Sequence, residues 1–214
     1  MAYPIAPTQF DANPYQPEWL ARDFFHSPDG VKEFPNHHCK QTFVRSEPFI
    51  RSPVRNAIDV GCRDGEYARY LQARFKHTFC FDPNRRPFFP FNVELARVSH
   101  FTCALGDVAG DINMYGGAHN PRGTKHHVVP CYTLDSFDLP DIDYIKIDVE
   151  GYELRVLKGA SRLIERDRPI IVIEQNNVRL PDEPLFAARD WLIARGYRVA
   201  ALCPRGWDHI MVPG

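Results

Sequence analysis

The segment Asn56-Ala57-Ile58-Asp59-Val60-Gly61-Cys62-Arg63-Asp64-Gly65 joins an apolar run to two glycines through an acid, the pattern of a strand turning sharply into a helix. Without a Cβ, Gly61 and Gly65 let the backbone turn tightly and approach a ligand, and the N–H groups opening the next helix face its polar end. Asp82 closes the next apolar run about 20 residues past Gly61, the spacing of a carboxylate that accepts from both hydroxyls of a ribose. The glycines do not make the dinucleotide fingerprint G-x-G-x-x-G, because Cys62 and Arg63 follow Gly61 directly. A carboxylate at Asp59 repels phosphate and favours a ligand with an ammonium group. An adenosine compound carrying an ammonium group is S-adenosylmethionine, and Asp59, Gly61, Cys62, Arg63, Asp64, Gly65, Asp82, Pro83 and Asn84 are the residues expected to hold it.

The acids available for chemistry on a second substrate stand at later strand ends: Asp148 and Glu150 after one apolar run, Glu174 after the next. Methyl transfer is an in-line displacement at a sulfonium carbon, so the protein mainly positions the nucleophile and excludes water. An alcohol acceptor is about as weak an acid as water, roughly 15.7, so a base or an oxyanion stabiliser is worth much there. Asp148, Glu150, Glu174 and Lys146 are the candidate catalytic residues. Lys146 lies inside an apolar strand and is costly unless paired, which leaves two readings: an ion pair with a neighbouring strand's carboxylate, or a part in orienting or deprotonating the acceptor. Glu150 also suits the N-cap of a helix beginning near Gly151. Asp148 with Glu174-Gln175-Asn176 offers oxygen ligands for Mg²⁺, but Gly151 stands where a lysine would be expected in a metal-assisted site, and no metal ligand is assigned. The adjacent pairs His37-His38 and His126-His127, if extended, point to opposite sides and cannot serve one metal. His119, Arg122 and Lys125 fall in a loop expected to cover the strand ends.

Positioning these groups requires alternating strands and helices. Apolar periodicity predicts strands at 56–61, 77–82, 98–104, 142–148, 169–175, 197–202 and 207–212, and helices at 65–75, 151–166 and 184–195. Pro87 and Pro90 keep any helix in 86–97 short. Turn residues between 105 and 137 predict an inserted hairpin with a loop after it. Residues 1–50, rich in proline and aromatics, read as an N-terminal extension, a lid or packing arm with one short helix near 17–25, ahead of a cofactor domain over 51–214. Such βαβ units imply a mostly parallel sheet with ligands at the carboxyl ends of its strands.

The run Tyr144-Ile145-Lys146-Ile147-Asp148-Val149-Glu150-Gly151-Tyr152-Glu153 resembles the signature of the FkbM family of S-adenosylmethionine-dependent methyltransferases, with its Lys-x-Asp-x-Glu-Gly-x-Glu core. Ala57–Gly61, Phe81–Asn84, Ala104–Asp107, Thr133–Asp135 and Ile171–Glu174 match in order, and the likeness spans roughly residues 54 to 212. It departs at Cys62-Arg63, where the family usually has Ala-Asn. The resemblance implies a class I, Rossmann-like α/β fold: a mostly parallel seven-stranded sheet flanked by helices, with an antiparallel last strand. It also implies that Ala104, Leu105, Gly106 and Asp107 lie near the adenine, that Asp148 faces the cofactor methyl group, and that S-adenosylhomocysteine is the product. The implied acceptor is a hydroxyl of a sugar, glycoconjugate or small metabolite. Three other readings stand beside it: a ribose 2′-O-methyltransferase, a cofactor-binding module without catalysis, and an NAD oxidoreductase.

Composition narrows these. The chain has 214 residues, 44% of them hydrophobic, enough for one core without disulfides. With 26 basic and 27 acidic residues its net charge is −1, which argues against a nucleic-acid partner held by phosphate contacts. Six cysteines make no C-x-x-C pair and sit in apolar runs, as in a reduced, cytoplasmic protein. No secretory leader or membrane span is expected from the sequence.

Overall fold

The structure, a computed structural model, describes residues 3–34, 37–115, 126–176, 180 and 183–214. The N-terminal part holds helix α1 (Pro17–Ala21), a hairpin of β1 (Phe24–Ser27) and β2 (Gly30–Glu33), and helix α2 (His38–Ser46). Then come β3 (Asn56–Val60), α3 (Ala68–Arg74), β4 (His77–Asp82), α4 (Phe89–Asn92) and β5 (Val98–Thr102). Three strands follow, β6 (Ala104–Leu105), β7 (Gly110–Tyr115) and β8 (His126–Tyr132). The chain closes with β9 (Ile142–Ile147), α5 (Glu153–Lys158), α6 (Ser161–Asp167), β10 (Ile170–Glu174), α7 (Ala187–Ile193), β11 (Tyr197–Leu202) and β12 (Asp208–Pro213).

Seven of these strands make one sheet in the order β11-β12-β10-β9-β3-β4-β5, parallel except for β12, which runs antiparallel to both neighbours. Both faces are covered, so its strands are apolar at nearly every position. On one face Ile58, Val60, Ile145, Ile147, Ile171 and Ile173 meet Val156 and Leu157 of α5, Leu163 of α6 and Leu192 of α7. On the other, Ala57, Tyr144, Val172 and Ile210 meet Leu71 of α3 and Phe43 of α2. Each Val, Leu, Ile or Phe among these, fully buried, contributes roughly 1.5–3 kcal/mol.

The seven strands, the antiparallel last one and the inserted hairpin agree with expectation, and several details differ. The strand expected over 98–104 stops at Thr102, and Ala104–Leu105 leave it to pair with Cys131 and Tyr132, so the insertion is a three-stranded sheet, β6-β8-β7. The helix expected over 151–166 is two, parted where Ala160 leaves helical geometry with φ −112°; the neighbouring Gly159 approaches Gly106 so closely that a Cβ would lie 1.9 Å from its carbonyl oxygen. The helix expected over 65–75 begins only at Ala68, and that over 184–195 spans Ala187–Ile193. The one short helix of residues 1–50 is joined by β1, β2 and α2. His37 and His38 open α2 rather than an extended segment, and their ring centroids lie 4.1 Å apart, on the same side. The covering loop with His119, Arg122 and Lys125 lies outside the described residues.

Candidate active site

Strand order reverses at β3, which pairs with β4 on one side and β9 on the other, and a crevice opens at such a switch point. Gly61 makes it narrow. Its φ is +82°, and a Cβ there would lie 1.8 Å from the carbonyl oxygen of Asp148, whose N–H donates to the Val60 oxygen at 3.0 Å. Only glycine allows both the left-handed turn and this approach of β3 to β9.

The crevice is a cavity of about 620 Å³. By sheet order, Phe81, Asp82, Pro83, Ala104, Leu105 and Met114 line the β4 side, and His38, Asp148, Glu150, Glu174, Arg205 and Trp207 the β9–β12 side. A smaller cavity of about 60 Å³ shares Gly61, Arg63 and Asp148 and reaches Asp59, Glu66, His37 and Cys39. There Asp59 is 1% exposed and its Oδ2 has no hydrogen-bond partner. Burial pushes its carboxyl up to about 8, against the pull of the Lys146 ammonium. A buried carboxylate oxygen left open beside a glycine turn fits an ammonium-bearing ligand and is costly without one. Asp82 offers a second hold. It accepts from the backbone N–H of Arg63 at 3.1 Å and of Asn84 at 2.8 Å, and from Arg86 Nε and Nη2 at 2.9 and 3.1 Å. A ribose bonded to both its oxygens must displace the Arg86 guanidinium.

The acids lie at the ends of β9 and β10. Lys146 Nζ, buried, sits 3.2 Å from Asp148 Oδ2 and 3.2 Å from Asp208 Oδ1, and Asp208 Oδ2 accepts from Thr42 at 2.7 Å. These carboxylates hold the ammonium well above its usual range although burial opposes it, so Lys146 stays charged and is no base at neutral pH. Its structural partner Asp208 belongs to β12, two strands away, rather than to an adjacent strand. Burial and the charge of Asp148 push Glu174 far above the usual carboxylate range, and a hydrogen bond joins the two. Glu174 therefore enters neutral solution as the acid, donating to Asp148. Glu150, with φ +56°, caps no helix, since α5 begins three residues later. Glu153, at the first position of α5, turns back instead: its Oε1 accepts from the N–H groups of Val149 and Gly151 at 3.1 Å each and fixes the loop carrying Asp148. Ligand oxygens of Asp148, Glu150 and Glu174 lie within 4.8 Å of one another, as do ligand atoms of His37, His38 and Cys39.

Most of the expected residues meet in these two cavities: Asp59, Gly61, Cys62, Arg63, Asp82, Pro83, Ala104, Leu105, Lys146, Asp148, Glu150 and Glu174. Others stand behind the walls. The Asp64 carbonyl accepts from Asn92, Gly65 packs on Val93, Asn84 turns onto Asp82, Gly106 abuts Tyr152, and Asp107 pairs with Arg155 at 3.0 Å. Sequence reasoning missed His38, Arg86, Met114, Tyr152, Arg205 and Trp207. Arg86 was accessible in principle, being four residues past the acid it holds, and Arg205-Gly206-Trp207 has the composition of a turn beside a strand end.

A model described as the methyltransferase FkbM domain matches residues 33–199. A methyltransferase FkbM from Methylobacillus flagellatus has a similar structure, with TM-score 0.59 and 20% identity over 92% of this chain; the chain spans 50% of that protein's length. A precorrin 8w decarboxylase from Methanobacterium thermoautotrophicum aligns over 90% of this chain and 97% of its own, with 16% identity and TM-score 0.49. No curated protein sequence matches the chain. With a family match over most of its length and the expected fold around the crevice, the chain belongs to the FkbM methyltransferase family.

Proposed function

We propose that this chain is an S-adenosylmethionine-dependent O-methyltransferase acting on a hydroxyl of a sugar, glycoconjugate or small metabolite. The observation that carries the reading is the buried, unpartnered Asp59 oxygen beside Gly61, which suits the cofactor's ammonium group, with Asp82 at the next strand end for its ribose. When bound, the cofactor supplies a methyl carbon on a sulfonium, an electrophile that needs no further activation. Asp148 accepts the acceptor's hydroxyl proton. Lys146 and Glu174 both hydrogen-bond that carboxylate and so fix its direction. Tyr152 and Met114 help enclose the crevice and exclude water. Residues 1–50 serve as a packing arm, supported by the bonds of Thr42 to Asp208 and of Ser46 to Tyr144.

A net charge of −1 weighs against the nucleic-acid reading, and the paired acids weigh against a module without catalysis. The cluster of Asp148, Glu150 and Glu174 supports a second reading in which Mg²⁺ orients the acceptor oxygen; the Lys146 ammonium already beside Asp148 weighs against it. A thermal-shift panel tests the cofactor. S-adenosylmethionine or S-adenosylhomocysteine at 100 times its Kd adds about 2.7 kcal/mol, a rise of roughly 5–10 °C in Tm. Stabilisation by NAD with none by the adenosyl compounds would overturn the assignment.

A further inference from the structure

The β9–β12 side of the cavity carries two groups that the methyl-transfer chemistry does not use. Trp207 leaves 47% of its surface exposed on the cavity wall, and Arg205 stands over its ring, 5.7 Å from the centroid. Among the described residues, Arg205 has neither an ion pair nor a hydrogen bond. The turn that carries them is held rigidly. The Cys203 N–H donates to Asp208 O and the Gly206 N–H to Cys203 O, both at 2.9 Å, and the Gln175 N–H donates to Trp207 O at 2.7 Å. Gly206, with φ +75°, closes it.

Two guanidiniums face this cavity, those of Arg205 and Arg63. Arg63 lies on the same cavity with 69% of its side chain exposed and its nearest carboxylate, that of Glu66, 3.7 Å away. Burial lowers the basicity of both His37 and His38, and the charge of Arg205 acts in the same direction on each. The acids on this same side carry less negative charge than their number suggests, because Lys146 pairs with Asp148 and Glu174 holds a proton. The wall is also close to the reacting position: Asp208, next to Trp207, shares Lys146 with Asp148.

We propose that Arg205 and Trp207 form an acceptor subsite for a hydroxylated ring bearing a carboxylate or phosphate. The ring's C–H face lies on the indole, the anion meets Arg205, and a ring hydroxyl reaches Asp148. The indole's electron-rich face attracts the C–H groups of a sugar ring, while a guanidinium with no ion pair or hydrogen bond among the described residues binds carboxylate or phosphate in a bidentate manner. The fixed turn lowers the entropic cost of binding. This rests on the methyltransferase reading for the part played by Asp148, but not for the binding itself.

The test is an NMR titration that follows the three indole N–H signals, of Trp19, Trp191 and Trp207, with S-adenosylhomocysteine present. The probes are glucose, glucuronate, glucose 1-phosphate and inorganic phosphate. Glucuronate or glucose 1-phosphate should shift the Trp207 signal saturably and bind about 10-fold or more tightly than glucose, the worth of one charge-assisted hydrogen bond. Arg205→Gln should abolish that preference; in Trp207→Ala and Trp207→Phe, which lack that signal, binding is read by isothermal titration calorimetry, and Trp207→Ala should weaken every ring while Trp207→Phe should retain part of the stacking. The two unchanged indole signals report that each variant is folded. A response to the uronate alone indicates a sugar acid, and one to the phosphate ester alone a phosphorylated acceptor; either supports the proposal. Equal binding of glucose, a preference that survives in Arg205→Gln, an equal response to inorganic phosphate, or no Trp207 shift up to about 50 mM overturns it. If S-adenosylhomocysteine does not bind, the methyltransferase reading falls, and the same titration on the protein alone still decides the subsite.

Discussion

Cofactor binding should be coupled to the proton on Asp59. In the protein alone, burial holds this carboxyl near pKa 8, so at pH 6 about 99% of it is neutral and at pH 7 about 90%. An ammonium group against the open oxygen favours the charged form, returning the carboxyl toward its ordinary value of roughly 3.9. Binding then expels one proton below pH 8. The affinity of S-adenosylhomocysteine should rise about 10-fold from pH 6 to 7 and about 5-fold from 7 to 8, then level off; each unit below 8 costs about 1.4 kcal/mol. Isothermal titration calorimetry at pH 6.5 in phosphate and in Tris measures the proton directly, because the two buffers take it up with different heats. Glu153, pushed up to about 7 by burial, titrates in the same interval, so Asp59→Asn is the control: it should bind more weakly and without proton release, while Glu153 remains. Flat affinity across pH 6–8 with equal heats in the two buffers would refute the assignment of Asp59 to the ammonium.

Asp82→Ala should raise the Kd of S-adenosylhomocysteine about 10–100-fold, the loss of hydrogen bonds to a charged group, with circular dichroism unchanged. Asp148→Asn and Glu174→Gln should each cut turnover about 100-fold on a verified acceptor and leave the cofactor Kd within a few fold; full turnover in both variants removes these residues from the chemistry. Gly61→Ala should destabilise the fold by about 3 kcal/mol or more, since its Cβ meets backbone 1.8 Å away in a left-handed turn, and chemical denaturation measures this. Turnover should be indifferent to EDTA and to added Mg²⁺; loss on chelation and recovery with Mg²⁺ would transfer the role of Lys146 and Asp148 to a bound cation.

The strand ends were legible because apolar runs meet acids there: Asp82 and Glu174 close their strands, Asp148 follows β9 directly, and Asp59 stands one residue before the end of β3. What held those acids was not legible. The partner of Lys146 lies 62 residues along the chain, a distance that no local spacing encodes. Glu150 and Glu153 are equivalent acids in sequence, and only the structure shows that Glu150 sits in a left-handed turn while Glu153 accepts the loop's N–H groups. Helix α2 escaped notice because His37-His38 and the prolines before it mask a short amphipathic pattern, whose apolar residues Cys39 and Phe43 are four apart. Arg205 and Trp207 escaped because a turn of five residues between two strands has no periodicity to display.

The bond from Thr42 to Asp208 joins positions 166 residues apart, and Ser46 meets Tyr144 across 98. Contacts of such separation are the slowest to form, since the entropy of closing the loop comes before any gain from the contact. During synthesis at roughly 5–20 residues per second, α2 waits on the order of 10–30 s for its partner on β12 to be made. Until then Phe43 and Cys39 lack the strand they cover, and Lys146 has only Asp148 for its charge. The reaction centre is thus among the last parts of the molecule to assemble, and its nascent chain should depend on chaperones over that interval more than its size suggests.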